Sequence, residues 1–509
     1  MTQDATALYS ALASRDPRFD GVFFVGVTST GIYCRPVCPA RTPKAKNCRF
    51  FFSAAAAEHA SFRPCLRCRP ELAPGNAPVD DAQRIASLIV SRVEEGIAEE
   101  DTGLEQIAAQ FGLSSRQIRR IIQKELGVSP IELVLTRRLL LAKQLLTETT
   151  LPITQVAYAS GFASPRRFND AFRRSYGMPP SRLRKAVDGA SDAPSSSDET
   201  LTLQLAYRPP YDWPGVLAFM HKRVLRGVEL IADDEYWRTA RIGGATGWIH
   251  VRHAPEKRAL LVEVTHSLVP VLPAVLSRMR HVFDLSARPD VIAAQLAQDP
   301  RLAEIAARHP GLRVPGAFDG FELAVRAILG QQITVKAAAT MAGRFVAAFG
   351  EPITTPHAGL DRLCPTAARV AALSVDDIAS LGIVQTRARS IITLAGEVAA
   401  GRLKLVAGAH PEATMAQLVA LPGIGKWTAH YIALRALRWP DAFPKEDIVL
   451  QKRLGGVSAR VADEMSQAWR PWRSYATLHL WRAAPQVGAE GSTKSVAVAR
   501  RVARNGAGR

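Results

Sequence analysis

Leu421-Pro-Gly-Ile-Gly425 runs into Lys426-Trp-Thr-Ala-His-Tyr431, and twenty residues beyond Trp427 stands Asp447, within Phe443-Pro-Lys-Glu-Asp-Ile-Val-Leu-Gln-Lys-Arg453. Gly423 and Gly425 permit a tight bend between two helices. The free N–H groups that open the second helix, with Lys426 beside them, suit a phosphate. That string by itself signals only non-specific DNA binding. The residues after it say more. Trp427 and Tyr431 are four apart and share one helix face. Asp447 brings a carboxylate at a spacing that binding alone does not require.

Outward from this stretch, the chain is 509 residues long, which at about 150 residues per domain predicts three or four domains. An apolar fraction of 47% supplies globular cores and argues against wholesale disorder. A net charge of +19, with Lys and Arg spread along the whole length, suits several modules that each meet a polyanion, although a solvated surface gives the same sum. Six cysteines in such a chain exclude a disulfide scaffold, and five of them lie from Cys34 to Cys68, four in two close-spaced pairs. The N-terminus lacks the basic flank and apolar core of a signal peptide, and no run of about 18 apolar residues is present. The expectation is a cytoplasmic, nucleoid-associated monomer with no membrane partner.

Composition breaks divide the rest. Leu72–Pro78 is a turn-rich link, Asp188–Asp198 is small and polar, and the tail from about Ala483 is rich in Gly, Arg and Ala. The expected units are 1–75, 80–186, a linker 187–200, 201–285, 286–482, and a disordered tail 483–509. Within 80–186 a repeat recurs after about 49 to 50 residues: Ile107-Ala108 and Gly112-Leu113 return as Val156-Ala157 and Gly161-Phe162. The stretches 201–207, 243–251 and 259–265 are rich in β-formers and predict a small sheet. From about Ser286 to Trp481 the pattern is helical.

Cys34-Arg-Pro-Val-Cys38 and Cys65-Leu-Arg-Cys68 are close-spaced pairs that can close a tetrahedron on one zinc ion. From spacing alone an architectural site is the commoner explanation. The surroundings, Gly31-Ile-Tyr-Cys-Arg-Pro-Val-Cys38 and Phe62-Arg-Pro-Cys-Leu-Arg-Cys-Arg-Pro70, closely resemble the Ada-type methylphosphotriester-repair domain over about residues 5 to 73. That resemblance implies that Cys34 accepts a methyl group irreversibly from a methylated backbone phosphate, while Cys38, Cys65 and Cys68 complete the zinc site. Methylation removes one negative charge from a surface that approaches DNA, so affinity for DNA should rise. Arg35, Arg67 and Arg69 are candidate phosphate contacts. Cys48 is expected to be a non-ligand thiol, with a role as an alternative ligand or in redox chemistry left open, and Cys364 a core residue.

The two repeats, LEQIAAQFG-LSSRQIRRIIQKELG and ITQVAYASG-FASPRRFNDAFRRSYG, each pair an apolar helix with a glycine turn and a basic helix. Ser115, Arg116, Gln117, Arg119 and Arg120, with Ser164, Arg166, Arg167 and Asn169, are placed to face a major groove. In tandem, and ending Gly177-Met-Pro-Pro-Ser-Arg-Leu-Arg184, they resemble the AraC-type DNA-binding domain; Leu183 stands where that family usually has an aromatic.

The hairpin and Asp447 resemble the helix-hairpin-helix glycosylase superfamily. Arg208-Pro-Pro-Tyr-Asp-Trp213, Val314-Pro-Gly-Ala-Phe-Asp-Gly-Phe-Glu322, Arg326-Ala-Ile-Leu-Gly-Gln331, Trp469-Arg-Pro-Trp-Arg-Ser-Tyr475 and Leu478-His-Leu-Trp481 narrow this to the 3-methyladenine DNA glycosylase II family. The resemblance implies that Asp447 is the catalytic carboxylate and that Trp427, Tyr431 and Trp481 wall the base pocket. It places Gln332 where the family has an apolar wedge. A monovalent cation is expected at the hairpin. Strand-cleaving relatives carry a lysine two places after the second glycine, where this chain has Trp427, so a monofunctional enzyme is expected. No cysteine follows Cys364, so the iron–sulfur cluster of some relatives is not expected.

The predicted fold is multidomain and mainly α: a small α+β zinc domain, an all-α tandem helix-turn-helix, a small β-containing domain and an α-helical glycosylase core. The partners expected are duplex DNA and RNA polymerase. The competing reading is a methylation-responsive transcription factor whose C-terminal half only binds DNA.

Overall fold

The computed structural model of the chain describes residues 5–74, 105, 113–188, 199–407 and 409–483. The turn-rich link beyond Pro74, most of the first helix of the first repeat with Gly112, the polar linker 189–198 and the tail from 484 lie outside the described residues.

The cysteine-rich module is built on a four-stranded sheet of Phe24–Val27, Ile32–Cys34, Cys48–Phe51 and Arg63–Pro64, with the first two strands central and the last joined in parallel to Ile32–Cys34. Side chains alternate across it, as a strand requires. Phe23 and Val25 pack on Leu8, Ala11 and Leu12 of helix Ala5–Ala13, whereas Phe24, Tyr33 and Phe62 pack towards helix Ala54–His59. Both faces are thereby covered, and Cys34 emerges at the end of a central strand, opposite Val25.

In the paired-helix module, helix Ser115–Leu126 is capped by Ser114, with Gln117 closing a capping box, and stops at Gly127, whose φ is +75°. Helix Pro165–Tyr176 is capped by Ser164 and stops at Gly177, φ +68°. Between them run the long helix Pro130–Glu148 and the short helix Ile153–Ala159; helix Pro180–Asp188 follows.

A five-stranded antiparallel sheet comes next, in the order Thr200–Ala206, Ala259–Thr265, Ala245–Ala254, Glu235–Ile242, Glu229–Ala232. Three of these strands are the expected ones. The hairpin Glu229–Ile242 is additional. It is joined by Asp233 and Asp234, both in the left-handed region at φ +47° and +57°, a two-residue turn that Asp tolerates. Its second strand escapes a period-two pattern because five consecutive residues, Tyr236 to Ala240, are buried on both faces, Arg238 and Thr239 among them. Helices resume at Leu272–Val282, ahead of the expected start near Ser286.

The C-terminal half is a helical bundle around Leu323, Ile328, Ile391, Leu394, Ile432, Leu450 and Trp469. Helices Gly320–Leu329, Val335–Phe349, Gln385–Ala399, Lys426–Arg435, Ile448–Arg453 and Arg473–Arg482 contribute to it.

The modules share surfaces. Leu139, Ala142, Leu145 and Leu146 of the long helix join Phe168 and Phe172 in one core with Leu201, Leu203 and Leu205 of the sheet. On its other side the long helix meets the cysteine-rich module. Lys143 Nζ, 1% exposed, donates to Glu71 Oε2 at 2.6 Å and to the carbonyl of Cys65 at 3.2 Å. Arg69 donates to Glu148 at 2.7 Å, and Glu148 in turn accepts from the backbone N–H of Gln204 on the sheet. Arg208, fully buried, donates to the carbonyls of Asp20 and Pro74 on one side and of Ser286 on the other.

Candidate functional site

The sulfurs of Cys34, Cys38, Cys65 and Cys68 all lie within 4.8 Å of one another. Zn–S bonds of about 2.3 Å place tetrahedral sulfurs about 3.8 Å apart, so four sulfurs gathered this closely suit one zinc ion. Two observations fit the donor set. The backbone N–H of Arg35 donates to Cys68 Sγ at 3.3 Å, as amides do to metal-bound thiolates. Mutual hydrogen bonding also splits the thiol acidities: Cys38 is held down to about 7, chiefly by Cys34, and Cys65 lower still, while Cys34 and Cys68 are pushed up. A divalent cation removes that conflict by taking all four as thiolates. Three of the cysteines are buried; Cys34 is partly exposed and lines, with Cys38 and Cys65, a cavity of about 490 Å³. Cys48 is outside the cluster, its thiol donating to the carbonyl of Lys44. Cys364 packs against the C-terminal core.

Of the candidate phosphate contacts nearby, Arg67 is exposed. Arg35 is turned inward onto the Asp20 carboxylate, and Arg69 onto Glu71 and Glu148. Arg116, Gln117 and Arg120 on helix Ser115–Leu126, and Arg166 and Arg167 on helix Pro165–Tyr176, all face solvent.

In the C-terminal half Gly425 caps helix Lys426–Arg435, and the two glycines earn their places differently. Gly423 has φ +77°, and a Cβ there would stand 2.1 Å from Ser390 Oγ, so only glycine fits. Gly425 has room for a side chain and leaves the helix entrance bare, with exposed Lys426 next to it.

Trp427 and Tyr431 stack on one face of that helix with centroids 5.4 Å apart and planes 8° from parallel; Trp481 stands 6.2 Å from Tyr431 at 48°. Asp447, 8% exposed, is gripped at both oxygens: Oδ2 accepts from Trp427 Nε1 at 2.8 Å, and Oδ1 accepts from the backbone N–H of Leu450 at 2.9 Å. It thus caps helix Ile448–Arg453 and is tied to the aromatic wall. Behind the wall, Arg435 donates to the Tyr431 hydroxyl at 2.9 Å. Burial would raise that phenol, yet the charges of Arg435, Arg223 and Arg326 hold it down to about 8.

Gln332 is exposed at a loop tip with φ +57°. Its neighbour Gln331 faces inward, donating from Nε2 to the Gly423 carbonyl at 2.9 Å and to Thr428 Oγ1 at 3.1 Å, which braces the loop against the hairpin. The sequence shows Gln331 only as the end of the Arg326–Gln331 motif, with no role of its own, and does not mark Arg435. Arg435 lies four residues past Tyr431, a spacing that signals the contact; the fold alone brings Gln331 to the hairpin, across 92 residues.

Four family models match successive parts of the chain: the metal binding domain of Ada at 7–71, a helix-turn-helix domain at 107–186, the AlkA N-terminal domain at 202–319, and the HhH-GPD superfamily base excision DNA repair protein at 325–474. The DNA-3-methyladenine glycosylase 2 of Escherichia coli (strain K12) is 34% identical over 278 residues, 54% of this chain and 95% of that protein. The bifunctional transcriptional activator/DNA repair enzyme AdaA of Bacillus subtilis (strain 168) is 31% identical over 177 residues, 35% of this chain and 81% of its own length. One relative spans both halves: the "Probable bifunctional transcriptional activator/DNA repair enzyme AlkA" of Mycobacterium tuberculosis (strain CDC 1551 / Oshkosh) is 38% identical over 486 residues, 94% of this chain and 97% of the relative. With a zinc-binding module, a helix-turn-helix module and a base-excision fold in one continuous alignment, this chain belongs to the AlkA family of bifunctional transcriptional activators and DNA repair enzymes.

Proposed function

We propose that the chain excises alkylated purines of the 3-methyladenine type and takes methyl groups from methylated DNA phosphates, using the second event to activate transcription. The modules carrying these roles are 1–75, 80–186, 201–285 and 286–482. The observation that carries the excision role is the Asp447 carboxylate, bonded to Trp427 at the edge of the stacked aromatic wall. An alkylated purine is cationic, and its electron-rich neighbours Trp427, Tyr431 and Trp481 favour it over a neutral base. As the N-glycosidic bond breaks, its electron pair goes to the base and the sugar gains oxocarbenium character. The Asp447 anion stabilises that charge, water adds at the anomeric carbon, and the proton released leaves for solvent or Asp447. With Trp427 where a lyase would carry lysine, the product is an abasic site. Gln332 fills the gap left by the extruded nucleotide.

At the other end, Cys34, Cys38, Cys65 and Cys68 would hold one zinc ion, which would keep their sulfurs as thiolates at neutral pH. Cys34 Sγ attacks the methyl carbon of a phosphotriester; the C–O bond breaks, its electron pair stays on the phosphate, and Cys34 becomes a thioether. Cys34 is the one residue of the four that is not buried, which supports it as the acceptor. Arg67, with Arg116, Gln117, Arg120, Arg166 and Arg167, contacts DNA, and Gly423, Gly425 and Lys426 anchor a phosphate at the hairpin, where a monovalent cation would also sit. The promoter-bound form acts as a monomer and recruits RNA polymerase.

Release of free base from methylated duplex DNA tests the excision role. Wild type should release 3-methyladenine, and Asp447→Asn should slow release about a hundredfold or more with DNA binding retained. Equal rates in the two would remove Asp447 from the chemistry. No release by a folded wild type would leave the C-terminal half as a DNA-binding module.

A further inference from the structure

A cleft of about 290 Å³ opens between the cysteine-rich module and the five-stranded sheet, and of its cationic side chains only Arg67 has a role above. Five cationic side chains line it. Arg35, Arg67 and Arg69 come from the cysteine-rich module; Lys257 and Arg258 come from the turn that joins strands Ala245–Ala254 and Ala259–Thr265. Two of the five are already neutralised, Arg35 by Asp20 and Arg69 by Glu71 and Glu148. Arg67, Lys257 and Arg258 are exposed, and among the described residues none of them is in a salt bridge within 4 Å. The turn is fixed at its base: the Arg258 N–H donates to the Pro255 carbonyl at 3.0 Å, and the Arg258 carbonyl accepts from the Tyr207 N–H at 3.0 Å. Its two cations therefore stand on rigid backbone.

Arg67 has a second position in this geometry. It also lines the cavity onto which Cys34 opens, so it forms the ridge between that cavity and the basic cleft. A zinc tetrathiolate is negative and by itself repels a phosphate backbone. Several cations contributed by two modules beside it offset that repulsion and favour a polyanion over a single small anion.

We propose that the cleft is a binding site for the sugar-phosphate backbone of duplex DNA, in which the strand presenting a methylated phosphate to Cys34 continues over Arg67 to Lys257 and Arg258. DNA held at the cysteine cluster is thereby also held by the sheet of the glycosylase half. The inference rests on the methyl-acceptor reading of Cys34, and the experiment separates the two.

The test uses the zinc-loaded full chain and a 30-base-pair duplex carrying one methylphosphotriester, with acetylation of lysines read by mass spectrometry. Lys257 should be protected by the duplex and not by inorganic phosphate at millimolar concentration. The variant Lys257→Gln/Arg258→Gln should bind the duplex about tenfold more weakly, with a salt slope reduced by about 2, because two phosphate contacts are lost. Equal labelling of Lys257 with and without duplex would overturn the inference, as would protection by inorganic phosphate alone. Unchanged affinity and slope in a variant with wild-type Tm would overturn it too. Methyl transfer to Cys34 is scored in the same samples. Transfer without protection of Lys257 refutes the cleft alone, whereas protection without transfer supports the cleft and refutes the acceptor.

Discussion

Helix Ser115–Leu126 of the first repeat and helix Pro165–Tyr176 of the second are each 12 residues long, start after a serine cap and stop at a left-handed glycine. Each buries residues at the same spacing: Ile118 and Ile122 in one, Phe168, Phe172 and Tyr176 in the other. Their settings differ. Ile118 and Ile122 share a small cluster with Ala55, Val128 and Leu133, on the side of the cysteine-rich module. Phe168 and Phe172 sit in the large core that runs into the sheet of the glycosylase half. The long helix Pro130–Glu148 divides the same way, with Leu133 in the small cluster and Leu139 to Leu146 in the large one. The first repeat is anchored by polar contacts as well: Ser53 to the Leu126 carbonyl, His59 to Glu132, and Tyr33 and Thr136 to Glu58. A shared local code can therefore be mounted through a large apolar core on one module and through a small cluster with polar contacts on another.

The comparison is most easily broken at the apolar mount. Phe172→Ala should cost about 3–5 kcal/mol and lower the unfolding temperature of the helices and the five-stranded sheet together. Ile122→Ala should act more locally. Calorimetry reads the difference: if Phe172→Ala leaves a separate, unshifted glycosylase transition, the shared core carries no stability between modules.

The polar mount predicts pH dependence. Burial pushes the Glu58 carboxyl up to about 7, against hydrogen bonds from Tyr33 and Thr136 that favour its anion. An unfolded glutamate titrates near 4.5, so between pH 4.5 and 7 the folded chain holds a proton that the unfolded chain has lost. The Glu58 contribution to stability should fall as pH rises across that window, by up to about 3 kcal/mol, and level off above it. Buried His281 and His479, held below the usual imidazole range by desolvation, contribute with the opposite sign, so the Glu58 part is read as the difference between wild type and Glu58→Gln. Parallel curves for the two would remove Glu58 from the account. Phe172, with no titrating partner, should give the same loss at pH 5 and pH 8.

The smallest effect concerns the caps. Ser164→Ala removes one cap bond and should cost about 1 kcal/mol. Ser114→Ala also breaks a capping box with Gln117, so it should cost slightly more in the first repeat. Equal costs would show that the box adds nothing to the serine.

Much of this was legible in sequence because it is short-range. Cys34-Arg-Pro-Val-Cys38 and Cys65-Leu-Arg-Cys68 declare a tetrathiolate by residue type and spacing, and the structure gathers their sulfurs as expected. Trp427 and Tyr431 stack because four residues make one helical turn. The hairpin Glu229–Ile242 was not legible, since a strand buried on both faces loses its alternation and its turn uses Asp-Asp rather than Asn-Gly.

The sequence by itself determined which chemistry the chain carries: a metal-binding thiol set, paired recognition helices, and an aspartate following a glycine hairpin. Each depends on side-chain type and on backbone needs within a few residues. Only the tertiary structure decided what those parts press against. Arg208 is buried among carbonyls of Asp20, Pro74 and Ser286, Lys143 pairs with Glu71 72 residues away, and Gln331 reaches Gly423 across 92. Such partners are fixed by which surfaces exclude water together, a property of the whole assembly rather than of any local run of residues.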